Sequence, residues 1–269
     1  MVRFGPAGND EKFYADGNQS SIDAPRWLQA MGLTAYEISF GRGIRMTEKT
    51  ARIIGEQAAK HGVAISVHAP YYINLANLGS YDKNYHYIKR SIELLHLMGG
   101  NRLVVHVGSQ MTMSRPEALA NCRDSLARVV KQLAADGIDD YWLCIETMGK
   151  YAQIGNIDEI CDLCTVDLQH IMPTVDFGHL NCLAQGQLDI PYIFTKLQPF
   201  AHAHYHISFI EYGPKGEIRH LTLADQQYGF DLRQIMQLIK QRSGDDTVIC
   251  ESAQIMAQDS RRLADFYLL

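Results

Sequence analysis

RLVVHV (102–107), SRPEALANCRDSLARVVKQLAA (114–135) and WLCIE (142–146) follow one another in the middle of the chain, and their reading decides the fold. The first and third runs are apolar, short and bounded by turn signals, as buried strands are. The middle run opens with Ser114 as an N-cap, Pro116 near the first helical position and Glu117 as an early acid, which predicts a helix over Pro116–Ala135. A strand, a long helix and a second strand make a crossover unit, and such units build parallel sheets.

Outward from this unit the same alternation fills the chain. Strands are predicted at Val2–Phe4, Ala35–Phe40, Ala64–His68, Arg102–Val107, Trp142–Glu146, Pro173–Phe177, Ala201–Ile207 and Thr247–Glu251. Helical patterns lie between them at Glu48–His61, Tyr85–Met98, Pro116–Ala135, Ile190–Leu197, Phe230–Arg242 and Ala257–Leu268, and Ser20–Pro25 carries a further helix-start signal. An open doubly wound sheet would also alternate, but it normally carries G-x-G-x-x-G after its first strand. Here that strand runs into GPAGND (5–10), which lacks the spacing. Eight strands without that fingerprint predict an α/β fold, a single (β/α)₈ TIM barrel over residues 1–269, a length at which such barrels commonly form one domain.

Composition narrows the function. The formal net charge is −5, with 25 Lys and Arg against 30 Asp and Glu, so there is no global attraction to nucleic acid and any such contact must be local. The first residues lack the basic and apolar regions of an export signal, and no apolar run is long enough to span a bilayer, so a cytoplasmic protein with no membrane partner is expected. Six scattered cysteines fit a reducing compartment. Cys161 and Cys164 form a C-x-x-C pair, but in IDEICDLC they share one face of a helix, and with no second pair they read as buried thiols.

In a (β/α)₈ barrel the active site is built where the strands end. The ends here carry His68, His106, Glu146, Asp176 with His179, His206 and Glu251. Imidazole and carboxylate are ligands of zinc, manganese and iron, and so many at one mouth exceed the needs of one ion. Two or three ions are therefore expected, with a carboxylate such as Glu146 bridging two of them, a constellation suited to phosphodiester hydrolysis. His202 and His204 alternate with His206 and are expected to be supporting or core groups on the same strand face.

These residues resemble the endonuclease IV type of apurinic/apyrimidinic endonuclease, within the xylose-isomerase-like barrels. The resemblance is carried by HAPYYINL (68–75), HVGS (106–109), ETMG (146–149) with Ile154-Gly155, VDFGH (175–179) and AQG (184–186). It implies cleavage 5′ to abasic sites in duplex DNA, as in base-excision repair, by a monomer holding zinc, with manganese or iron as alternatives. Glu146 would bridge two ions, His68 and His106 completing the first and Asp176, His206 and Glu251 the second, with Glu146 and Glu251 as the catalytic carboxylates. A third ion would sit on His179 and His220. Substrate would meet Tyr71, Asn74, Arg42 in the GRGIR loop (41–45), and Arg219.

The sequence departs from that family at two places. Ile218 stands where the family has an aspartate before Arg219 and His220, which weakens the third site unless a one-residue register shift turns Glu217 inward. After His206, Ile207-Ser208-Phe209 replaces a polar segment. Two other function classes compete. A sugar or sugar-phosphate isomerase or epimerase needs one metal, for which Glu146, Asp176, His206 and Glu251 suffice, and a relative that has lost turnover would only bind.

Overall fold

Ser114 lies in extended backbone and its hydroxyl accepts the amide of Glu117, which satisfies one of the N–H groups that a helix start leaves free. The helix runs from Arg115 to Ala135 and buries Ala118, Cys122, Ser125, Leu126, Val129 and Leu133, a three-to-four-residue stripe laid against the sheet. A computed structural model describes residues 2–242 and 244–269. Its strands are β1 (Arg3–Pro6), β2 (Ala35–Ser39), β3 (Ala64–His68), β4 (Arg102–Val105), β5 (Trp142–Glu146), β6 (Ile171–Asp176), β7 (His204–Ile207), β8 (Ile210–Gly213), β9 (Gly216–His220) and β10 (Thr247–Cys250). Its helices are α1 (Glu11–Ala15), α2 (Ala24–Ala30), α3 (Glu48–His61), α4 (Tyr81–Leu97), α5 (Arg115–Ala135), α6 (Ile157–Cys164), α7 (Phe177–Leu183), α8 (Ile190–Lys196), α9 (Leu232–Gln241) and α10 (Met256–Leu268).

Eight strands form one sheet in the order β1-β10-β7-β6-β5-β4-β3-β2, every paired neighbour parallel. The ring is drawn together where β1 meets β2: the Thr34 amide donates to the Phe4 carbonyl (3.0 Å), and Ala7 bridges to Glu37. Gly5 permits that approach, because a Cβ there would stand 1.7 Å from the Ala35 carbonyl oxygen. The fold is the expected (β/α)₈ barrel. Its main core lies between sheet and helices, while inside the ring Val104, Cys144 and Met172 form a small apolar plug beside Trp142. No helix among the described residues is long and apolar enough to cross a membrane.

Where the elements differ from the predicted ones, capping and closure explain it. β6 ends at Asp176 because that side chain accepts the His179 amide (2.7 Å) and starts the short helix α7. β7 begins only at His204, so His202 lies off the strand, with its Nδ1 accepting the Asp245 amide (3.1 Å). The Ser20–Pro25 signal resolves into α2 with Asp23 at the N-cap position and no side-chain cap bond. Cys161 and Cys164 sit on α6, half-buried and buried, and burial pushes the Cys161 thiol up to about 12. The hairpin β8–β9, which has no counterpart among the predicted strands, leaves the ring after β7 and folds over the mouth.

Candidate metal centre

Alternation along the strands decides which side chains enter the ring. Glu37 on β2, Ser66 and His68 on β3, Glu146 on β5, Asp176 on β6 and His204 and His206 on β7 all meet there, above the apolar plug. β4 ends at Val105 and β10 at Cys250, so His106 and Glu251 are the first residues beyond their strands.

Glu146 joins two groups of these residues. Its Oε2 faces Nε2 of His68 (3.1 Å) and of His106 (2.8 Å), and its Oε1 faces Nδ1 of His206 (3.0 Å). His206 Nδ1 also lies 3.5 Å from Glu251 Oε1. One donor set is therefore His68, His106 and Glu146, and a second is Glu146, Asp176, His206 and Glu251, with the donor atoms of each within 4.8 Å of one another. A carboxylate with one oxygen in each set is placed as a bridging ligand would be. Asp176 spends Oδ1 on capping α7, and its buried Oδ2 has no hydrogen-bond partner. Such an orphan costs about 1–3 kcal/mol or more for a charged group, which a divalent cation would relieve. The donors suit zinc, manganese or iron. Nδ1 of His68 donates to the Ala69 carbonyl and Nδ1 of His179 to the Thr147 carbonyl (both 2.9 Å), leaving each Nε2 for a ligand position.

A third set is carried by the hairpin. In a regular strand Ile218 and His220 would share a face and Glu217 would turn away. Here Glu211 pairs with Arg219 but Tyr212 pairs with Glu217, so Ile218 is an extra residue, a β-bulge that reverses the phase. Ile218 is 59% exposed, and Glu217 enters the mouth with Oε2 3.6 Å from His179 Nε2 and Oε1 3.9 Å from His220 Nε2. His179, Glu217 and His220 form the third donor set, and the acid expected to be missing is supplied one residue earlier. Gly149 permits this convergence, since a Cβ there would stand 2.8 Å from His179 Cδ2 and 3.0 Å from Glu217 Cβ.

Electrostatics bind the sets together. Burial alone would raise Glu146, but His206 and His106 beside it hold its carboxyl well below the usual range. Asp176 has weaker compensation: burial, with Glu251 and Glu146 nearby, pushes it up to about 6 despite the pull of His179. Burial would lower His179, yet Asp176, Glu146 and Glu217 bring it up to about 9. The site thus gathers acids that only cations can neutralise, protons in one state and metal ions in another.

The cleft above these sets measures about 470 Å³ and is lined by Tyr71, Lys150 and Gln153 besides His68, His106, Glu146, Glu251 and the hairpin set, while Asp176 and His206 lie beneath it. Tyr71 is half exposed at its rim, stacked on His106 with ring centroids 5.4 Å apart, and it also borders an outer groove lined by Arg42 and Arg45. Two residues expected to meet substrate are placed otherwise. Asn74 accepts the amides of Ala76 (3.1 Å) and Ser109 (3.3 Å) and donates to the Ser109 carbonyl, so its side chain braces two loops. Arg219 donates to Glu211 Oε2 (2.6 Å) on the exposed side of the hairpin and does not line the cleft. Sequence reading passed over Lys150 and Glu37; the latter was signalled by a lone acid within the apolar strand AYEIS (35–39).

Residues 25–266 match the model of a family described as the xylose isomerase-like TIM barrel, and the chain belongs to that family. It is 30% identical to an uncharacterized protein of Methanocaldococcus jannaschii over 95% of this chain and 93% of that one. A probable endonuclease 4 of Mycoplasmopsis agalactiae is 36% identical over 36% of this chain and 34% of its own. Among solved structures, a D-tagatose 3-epimerase-like protein superposes with a TM-score of 0.73 at 18% identity, covering 99% of this chain and 97% of its own. A family 2 AP endonuclease of Brucella melitensis gives 0.69 at 12% identity, covering 98% and 99%. At such identities these two likenesses speak for the fold alone.

Proposed function

We propose that this chain is a metal-dependent phosphodiesterase that cuts duplex DNA 5′ to abasic sites. The observation that carries this reading is the third donor set, His179, Glu217 and His220, beside the two that share Glu146. Epimerisation of a sugar needs one ion, and it would leave His68, His106 and the hairpin set without a task. Divalent ions in such a centre, zinc first among them, supply Lewis-acid polarisation of the phosphoryl group and activation of water near neutral pH. Glu146, His68 and His106 would hold the first, Glu146, Asp176, His206 and Glu251 the second, and the hairpin set the third.

The remaining residues bind and orient. Glu251, less buried than Glu146 and with Oε2 4.0 Å from His220 Nδ1, would accept a proton at the mouth. Lys150 offers a cation to the phosphate, and Arg42 and Arg45 extend positive charge along the outer groove. Tyr71 stands at the rim as a wedge beside an extruded abasic nucleotide, which has no base to unstack. The probable endonuclease 4 likeness supports this reading.

A second reading is favoured by one observation: Glu146, Asp176, His206 and Glu251 form a complete one-metal set, on a fold shared with the epimerase-like protein. The test is cleavage of a duplex carrying one tetrahydrofuran abasic analogue, with and without chelator, alongside assays for epimerisation of ketoses. Chelator-sensitive nicking 5′ to the lesion is expected. An intact duplex together with ketose epimerisation overturns the proposal in favour of the second reading.

A further inference from the structure

Beneath the donor sets lies a polar layer that the proposed chemistry does not use. Glu37, Ser66 and His204 are buried inside the ring. Glu37 Oε2 accepts hydrogen bonds from Ser66 Oγ (2.8 Å) and from His204 Nε2 (3.0 Å). Its Oε1 faces Nε2 of His206 at 3.1 Å, an approach whose angle does not make a hydrogen bond as the side chains stand, and neither of those two buried atoms has any hydrogen-bond partner. His206 therefore stands between two carboxylates, Glu37 on its Nε2 side and Glu146 on its Nδ1 side.

An imidazole ligand must offer a bare nitrogen to its ion, and the partner of the other nitrogen decides which one is bare. For His68 and His179 that partner is a backbone carbonyl. For His206 the group facing the other nitrogen is a carboxylate, which as an acceptor is stronger and would make the ring a better donor to metal. We propose that Glu37 is a positioning residue: it takes the Nε2–H of His206 and thereby presents bare Nδ1 to the set completed by Glu146, Asp176 and Glu251. Ser66 and His204 fix Glu37 from the other side, on its second oxygen. The inference rests on the reading that this set holds a divalent ion, and it goes beyond that reading by naming what selects the ligand atom. Of the three donor sets, Glu37 contacts only the one that holds His206, so the effect falls on that ion.

The test uses the full chain, loaded with zinc. Nitrogen-15 spectra of the histidine-labelled protein, with His206 assigned by the signal lost in His206→Gln, should show Nε2 protonated and Nδ1 bare. In Glu37→Gln, competition against a chromogenic chelator should show one ion weakened by about 10–100-fold with the others unchanged, and Glu37→Asp should recover part of that loss. A merely structural Glu37 would instead weaken all ions together with thermal stability, and that result overturns the inference. So does a wild-type His206 with bare Nε2, a measurement that needs no foldable Glu37 variant. A protein that takes up no zinc removes the metal reading and this inference with it. Full uptake with unchanged affinity in Glu37→Gln removes the inference alone.

Discussion

The donor sets on the barrel strands and the one on the hairpin are built by different means. Glu146, Asp176 and His206 are at most 1% exposed and sit on or at the end of parallel strands whose neighbours fix them on both sides. In the hairpin set the side chains of Glu217 and His220 are 17% and 29% exposed, and β8–β9 is a two-stranded ribbon, a kind of element with little stability of its own. It is held by the Glu217 amide bonding to the Gly149 carbonyl (2.9 Å) and by Ser208 Oγ lying 2.9 Å from His220 Nδ1. The first two sets are thus rigid and share a carboxylate, whereas the third is separable from them.

That contrast orders the expected effects. Glu146→Gln should strike hardest, removing two ions together and reducing abasic-site cleavage by more than the roughly 100-fold that changes behind a ligand reach. Elemental analysis reads the stoichiometry, and loss of a single ion would refute the bridge. Glu217→Gln should release one ion and slow cleavage by about 10–100-fold while the strand-borne pair stays filled. If metal content does not change, the bulge does not deliver a ligand.

The same contrast has a pH signature. His179, brought from an ordinary 6.5 up to about 9 in the metal-free protein, contributes stability that is fully present below pH 6.5 and lost as pH rises through about 9. Asp176, raised from 3.8 to about 6, acts in the same direction at lower pH, losing its contribution as pH rises through about 6. Metal uptake displaces these protons, so its affinity grows over the same range. The gap in Tm between metal-loaded and metal-free protein should therefore widen from pH 6 to 9. A constant or narrowing gap in calorimetry would show that these groups do not meet the ions.

The smallest effect is expected at Ile218. Because the bulge turns this side chain to solvent, Ile218→Asp should leave metal content unchanged and shift stability by no more than about 0.5 kcal/mol. Gain of a more tightly held third ion would mean that the hairpin pairs in the other register in solution.

What the sequence determined by itself was the alternation of strands and helices and the strand-end positions of His68, His106, Glu146, Asp176, His206 and Glu251. Those depend on local propensity and on a two-residue period, both readable along the chain. The role of Glu217 was not readable in that way, because one bulged residue reverses which side chains face inward, and a bulge is fixed by pairing with the opposite strand. Asn74 and Arg219 look like substrate contacts in a motif, and only the folded chain gives them Ser109 and Glu211 as partners. Glu37 gave one hint, an acid among apolar residues. Its partners His204 and His206 come from a strand on the far side of the sequence, 167 residues away in the case of His204. Closure of the ring alone brings them together, and burial makes that meeting obligatory, since an unpaired carboxylate there would not remain charged.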